Sequence, residues 1–443
     1  MPPARTGVAV YSAELVGALR AEHELDVFVS EAIAGEAKRA GRNDAVHSAH
    51  DFIWRHQLAP YDLTVYQLGN SSLHDFLWPY LFRYPGLAVL HDAHLHHARA
   101  AALMRLGRTN DYREEFKANE PDSNSDLAEL AVAGFDTHLY YGWPMTRLIA
   151  RASRVTAVHA PRLVEALREA APDARIESIR LGHGERIGSH EAARASARVR
   201  ERHRIPANAV IFGVQGGLTP EKRVPQVLAA FASVLPYTPS ARLLLAGEPA
   251  SYCDVEGTIA SLGLRDRAIV TGYLPSDDAF TEYVAACDVS INLRWPTARE
   301  VSGPWVRALA AGRPTITMDL AHGAHVPALD PRTWTMPQSA TREAPVTVSI
   351  DVLDEDHSLR LAMRRLAADA DLRGRLGRAA GEYWEREHSM AGMLDDYRRV
   401  LAVAQTAPAP AADLPTHLRS RGDERLERLL QPFGLEADVW SNI

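Results

Sequence analysis

Lys222, Glu300 and Gly303 are residues of three types that together can hold a diphosphate at one end and sugar hydroxyls at the other. Gly213, Gly216 and Gly217 surround an abrupt turn after the apolar run VIFGVQ, and Glu221-Lys222-Arg223 stands where the helix-forming run VPQVLAAFASVL begins. A glycine turn lets backbone approach a ligand closely, and a lysine brings a point charge suited to a diphosphate. The plainer alternative is a glycine turn with a solvent-facing lysine, since the spacing is neither a Walker loop nor a dinucleotide fingerprint. Downstream, Glu300 precedes Ser302-Gly303-Pro304 and an apolar stretch ending at Gly312. Gly303 would open a helix whose N-terminus favours phosphate. Phosphate repels a carboxylate, so Glu300 there is suited to accepting hydrogen bonds from sugar hydroxyls; a helix-start carboxylate is the alternative.

His91-Asp92 closes the apolar run LAVLH and is followed by His94, His96 and His97. Close histidines invite a metal, but a strand end followed by irregular backbone does not fix them around one centre, and no metal is expected. His91, at the C-terminal edge of its strand, is the functional choice; Asp92 would orient it or meet an acceptor hydroxyl. Gly7, with Tyr11 behind it, opens the first helical stretch and would let the first domain approach a diphosphate. Tyr140, Tyr141 and Trp143 offer faces for a sugar or aglycone, with core packing as the alternative.

The elements that must position these residues repeat one plan of buried strand, turn and helix. Apolar or β-rich runs at 25–29, 63–68, 87–91, 154–159 and 174–182 alternate with helical stretches at 6–22, 78–85 and 160–172, and the runs at 210–215, 243–248 and 270–275 continue the pattern. Strands separated by helices make parallel sheets the economical arrangement. At 443 residues and 46% apolar composition, two α/β domains facing across a cleft are expected. A strand belongs before the Gly7 turn, yet only six residues precede it; the expected strand would lie upstream of Met1, the alternative being an unusual sheet.

The boundaries read as a first domain over 1–182 with a polar, helix-capable excursion at 98–147, suited to a substrate lid or an oligomer contact. A charged bridge follows at 183–205, then a second domain at 206–380 and a helical crossover at 381–404. A Pro/Ala-rich linker at 405–422 and an accessory helical tail at 423–443 close the chain. The net charge of −7, with Arg and Lys dispersed among acids, argues against nucleic acid as a partner. Cys253 and Cys287 form no metal or disulfide spacing, no run of eighteen apolar residues exists, and MPPARTG lacks the core of a signal peptide. A cytoplasmic protein is expected, with peripheral association at the inner face of a membrane left open because an acceptor can be a lipid. A homodimer is the general expectation.

With these motifs in place the chain resembles a retaining, nucleotide-sugar-dependent glycosyltransferase of GT-B type, specifically the large bacterial GT4 family (glycosyltransferase group 1). The likeness is strong over 206–320 and moderate over 1–182. It rests on YSAELVGAL, VLHDAHLHH, LTPEKRVPQVLAAF and an acidic loop of E-x-S-G form, Glu300-Val301-Ser302-Gly303. The resemblance implies two Rossmann-like parallel-sheet domains, the donor held mainly by the second and the acceptor by the first. It implies Lys222 on phosphate, Glu300 on the donor sugar, Gly303 facing phosphate and His91 near the reacting sugar, with Glu248, Tyr273 and Leu274 lining the nucleotide pocket. Gly217 stands where the family often has arginine, leaving Arg223 as the candidate substitute. Arg307 aligns near the family's second acidic residue, and the interval from Glu300 is one residue short. The implied reaction takes a UDP- or GDP-linked sugar, without a further cofactor, to an acceptor hydroxyl on a saccharide, lipid-linked intermediate or natural product. A catalytically inactive nucleotide-sugar-binding homologue or partner subunit is the alternative.

Overall fold

The computed structural model describes residues 1, 4, 6–39, 46–135, 139–336, 343–419 and 429–434. The chain divides into two compact units. Unit 1 comprises Met1–Val158, Val164–Glu177 and Arg399–Ile443; unit 2 comprises His159–Leu163 and Ser178–Arg398.

In unit 1, β1 (Phe28–Val29) and β2 (His47–Ser48) pair in parallel apart from the main sheet, which runs in the order β3 (Val65–Leu68), β4 (Leu87–Leu90), β5 (Val155–Val158) and β6 (Ile176–Ser178). Every residue of β4 and β5 is buried, as a parallel strand covered on both faces requires. The helix Gly7–Leu19 starts at Thr6, whose side chain accepts from the Ala9 amide at 3.1 Å. The stretch read as a lid or contact folds into the helices His96–Arg105, Thr109–Asn119, Asp126–Val132 and Leu139–Gly142 around a core of their own, which includes Leu103, Tyr112, Phe116 and Tyr140. The polar run 114–126 disguises that core, because its apolar partners lie a helical turn away on the inner face.

A buried ion pair joins two of these helices, with Arg99 Nε 2.7 Å from Glu115 Oε2. His417, on the short helix Thr416–Arg419 after the Pro/Ala stretch, meets Glu115 Oε1 at 2.7 Å. That helix packs on the helix Leu77–Arg83. Most of the tail read at 423–443 lies outside the described residues.

Unit 2 carries a seven-stranded sheet: β7 (Ile211–Gln215), β8 (Arg242–Ala246), β9 (Ala268–Val270), β10 (Val289–Asn292), β11 (Thr315–Met318), β12 (Ala328–Leu329) and β13 (Thr347–Ile350). Their order is β12-β13-β11-β10-β7-β8-β9, and the pairings are parallel. The chain runs from β7 outward through β8 and β9, then crosses back so that β10 lies on the other side of β7. Strand order reverses between β7 and β10, and ligands of open parallel sheets sit at the carboxyl ends flanking such a reversal. The helix Ser189–Arg202, in the stretch read as a bridge, packs within unit 2 against the helix Asp277–Ala286, with Val199 and Ala195 buried.

Candidate functional site

The site of unit 2 forms on the loops that leave β7 and β10. After Gln215 the chain turns at Gly216, whose φ of +84° lies in the left-handed region. A Cβ there would stand 2.8 Å from Lys222 Nζ and 3.5 Å from Pro304 Cγ. Glycine is therefore required twice, for its backbone angle and to make room for the lysine. The loop is stitched to the one after β8, with Leu218 N donating to Glu248 O at 2.8 Å and Ala250 N to Leu218 O at 3.0 Å. A 3-10 turn, Pro220–Lys222, then leads into the helix Val224–Ala232. Gly216→Ala is expected to lower the melting midpoint and abolish nucleotide binding together, read by thermal shift with and without UDP; strain of this kind costs on the order of 1–3 kcal/mol.

Lys222 points inward, 7% exposed, and its ammonium donates to the Gln215 carbonyl. Burial pushes its pKa well below the ordinary lysine value; Arg294 adds to that shift and Glu300 opposes it. Arg294, just beyond β10, was not singled out from the sequence. Its Nε lies 3.0 Å from Glu300 Oε1, and Thr297 Oγ1 donates to Glu300 Oε2 at 3.0 Å. Trp295 N donates to Glu221 O at 2.8 Å, fastening the β10 loop to the Lys222 turn. Two basic side chains and one carboxylate thus converge in a largely buried place, where a bound anion would favour the charged form of the lysine.

The N-terminus of the eight-residue helix Gly303–Ala310 borders this group. Ser302 Oγ accepts from Trp305 N at 3.4 Å and Pro304 has no amide hydrogen. The Gly303 N–H is left without a partner among the described residues. A Cβ on Gly303 would stand 3.3 Å from His183 Cδ2, so glycine also admits that ring. His322, from the loop after β11, lies near the Glu300 backbone, and burial lowers its pKa.

The other candidates of unit 2 lie as follows. Arg307 is 4% exposed: Nε donates to His183 Nε2 at 2.9 Å, Nη1 to Thr281 at 3.1 Å, and Nη2 lies 2.6 Å from Asp277. A ribose contact would have to displace one of these, and as it stands Arg307 fastens its helix to Asp277–Ala286. Arg223 is bound by Glu355, with Nε to Oε1 at 2.8 Å, so its charge is already balanced. Gly217 is exposed, and a Cβ there meets nothing within 4 Å. Glu248 and Tyr273 are exposed, and Leu274 packs beside Tyr283 and Ala286.

In unit 1, His91 follows β4. Its Nε2 lies 2.8 Å from Gln67 Oε1 on β3, and its ring meets Tyr11 edge-on at 4.7 Å. Gln67, which holds the His91 ring by this contact, was not singled out from the sequence. Asp92 Oδ2 accepts from Asn70 N at 2.6 Å, tying the β3 and β4 loops together. Gly7 is exposed, and a Cβ there meets nothing within 4 Å. Trp143 lies against Phe116 at 6.4 Å and packs on the helical core, while Tyr141 is half-buried. His96 is buried between Tyr112 OH (2.9 Å) and the Trp143 carbonyl (3.0 Å), and burial brings its pKa down to about 4.

Residues 196–326, all in unit 2, match the family described as glycosyl transferases group 1. The fold is of the GT-B kind, two Rossmann-like parallel-sheet units. Solved structures of that fold resemble it over most of their length. WaaG, a glycosyltransferase involved in lipopolysaccharide biosynthesis, aligns at a TM-score of 0.58 and 13% identity over 90% or more of both chains (91% and 97%). Anabaena Alr3699/HepE, in complex with UDP and glucose, aligns at 0.54 and 14% over 90% of this chain and 96% of that one. A sucrose-phosphate synthase from Thermosynechococcus elongatus aligns at 0.53 and 17% over 80% and 77%. At these identities the likeness is one of fold. No curated protein matches the chain.

Proposed function

We propose that this chain is a retaining glycosyltransferase of the E-x-S-G variety, which moves a hexose from a nucleoside diphosphate sugar to an acceptor hydroxyl in the cytoplasm. The observation that carries this reading is the convergence of Lys222, Arg294 and Glu300 beside the Gly303 helix N-terminus, on the two loops at the strand-order reversal. In this reading the diphosphate lies against Lys222, Arg294 and the Gly303 amide. As the anomeric C–O bond breaks, its electron pair passes to the phosphate oxygen, and these groups stabilise that developing charge. Glu300 accepts from hydroxyls of the sugar ring, and His91 keeps its assigned role near the reacting sugar. The acceptor oxygen attacks from the face the diphosphate leaves, and its proton goes to a phosphate oxygen of the leaving group.

UDP-sugars are the first donors to test, because HepE of the same fold was solved with UDP and with UDP-glucose. At a hundredfold excess over Kd a donor adds about 2.7 kcal/mol of stability, on the order of 5–10 °C for units of this size. A panel of UDP- and GDP-sugars is expected to contain at least one that produces such a shift and is consumed only when an acceptor hydroxyl is supplied. A panel in which no nucleotide or nucleotide sugar moves the midpoint contradicts the reading. Gly217 and the occupied guanidinium of Arg307 favour one second reading, a subunit that binds donor without transfer. Saturable donor binding with no product across a diverse acceptor set is its signature.

A further inference from the structure

The edge of the unit 2 sheet opposite to Lys222 carries a cavity of about 290 Å³, whose walls include Arg186, Arg313, Arg373 and Arg378. It lies beneath the N-terminal ends of β10 and β11, where Asp288 and Pro314 line it, and beside Gly312 at the far end of the helix that Gly303 begins. Its floor is tightly built: Gly312 has a φ of +61°, and a Cβ on Gly377 would stand 2.4 Å from Gly312 O.

Three of the four arginines are anchored by neutral groups. Arg186 Nη1 donates to Ala310 O at 2.8 Å, Arg313 Nε to Ala311 O at 3.0 Å and Nη1 to Cys287 O at 3.3 Å, and Arg373 Nη1 to Leu366 O at 2.6 Å and Ala367 O at 3.1 Å. Carbonyls fix a guanidinium in place and leave its charge intact, which is the preorganisation that anion binding rewards. Acidic groups supply little compensation. Asp288 lies near Arg313 but also takes Arg200 at 3.2 Å and the Ile211 amide at 2.7 Å, and Glu385 pairs with Arg186 at 3.1 Å. Among the described residues Arg313, Arg373 and Arg378 have no carboxylate within ion-pair distance. Ser189, also on the wall, opens the fourteen-residue helix Ser189–Arg202; its cap position is Gly188, which has no side chain to satisfy the first amides. The exposed Glu191 is the acid of that first turn. No large exposed apolar residue lines the cavity, which argues against a nucleobase or a bilayer as its occupant.

We infer that this pocket is a second anion site, separate from the donor site, which takes a small phosphorylated molecule through its phosphate or diphosphate group. Arg186, Arg313, Arg373 and Arg378 surround the phosphate, and the Ser189 helix N-terminus adds its partial positive charge.

Titration calorimetry with inorganic pyrophosphate tests this in the full chain carrying Lys222→Ala, so that the donor site does not contribute and failure of one reading leaves the other intact. Saturable one-site binding is expected at about 0.1 M salt. Arg378→Glu combined with Arg186→Glu should weaken it roughly tenfold or more, with the circular-dichroism melt showing a folded chain. Both side chains are on the outer wall, and Arg313→Gln gives an independent variant. Absence of saturable binding, or binding unchanged by the charge reversals, overturns the inference. So does sedimentation with phosphatidylglycerol vesicles that pyrophosphate cannot displace, which would assign the charge to a lipid surface.

Discussion

Lys222→Met is expected to raise the melting midpoint of the ligand-free protein while removing its response to a nucleotide sugar. The ammonium is buried beside a second cation, and Glu300, which opposes the shift, already faces Arg294 and Thr297. Exchanging buried charge for an apolar side chain of similar volume is neutral to stabilising by about 1–4 kcal/mol. The Gln215 carbonyl loses its donor, which returns on the order of 1 kcal/mol. A net gain of a few degrees should remain. Because the folded pKa of Lys222 lies below the ordinary value of 10.5, the unfolded chain binds more protons over the interval between the two. Stability of the wild type therefore rises with pH across that interval, and its deficit against Lys222→Met closes as pH approaches the ordinary lysine value. A diphosphate reverses the balance by favouring the charged ammonium, so UDP binding in that interval should take up close to one proton. Calorimetry in buffers of different ionisation enthalpy measures this uptake. A destabilised Lys222→Met protein that still shifts with UDP would contradict the role given to the lysine.

Glu300→Ala and Arg294→Ala are each expected to reduce transfer by roughly tenfold to a thousandfold, the range for removing a group that meets developing charge or positions the sugar. The two differ in what they leave behind. Without Glu300, Lys222 and Arg294 face each other with no carboxylate between them; affinity for UDP alone should hold or improve while kcat falls, since the sugar is no longer gripped. Without Arg294, the diphosphate loses a donor and Lys222 is relieved of a like charge, so UDP affinity should fall. The double variant should lose less than the product of the single effects, because the residues are in contact. Steady-state kinetics together with UDP titrations of the three variants check this, and equal losses of UDP affinity in both single variants would break the division of roles.

Much of the fold was legible in the order of apolar runs. LAVL, VTAV and LLLA are strands because each is short, apolar and bounded by turn residues, and a parallel sheet buries them on both faces. The helical stretch 98–147 was harder: Tyr112 and Phe116 are spaced for an inner face, but the arginine and two acids between them dominate the local composition. The Lys222 turn and the Gly303 helix start were readable as separate phosphate-seeking pieces. The resemblance implied that both meet one diphosphate, but no local pattern records the crossover that brings them together, β10 returning beside β7. Arg294 was missed because arginine is common throughout this chain. Its one signal, a charge directly after the buried run VSINL and six residues before Glu300, acquires meaning only once the strand neighbours are known. The burial of Lys222 escaped for the same reason: a lysine in a turn reads as solvated until the Gly216 backbone is seen making room for it.

The most direct test is a crystal structure of the chain with UDP bound. The diphosphate oxygens are expected within about 3 Å of Lys222 Nζ and the Gly303 amide, with the Arg294 guanidinium turned toward them. UDP found elsewhere on the protein, with Lys222 still hydrogen-bonded to Gln215 and no anion near Gly303, would contradict the account.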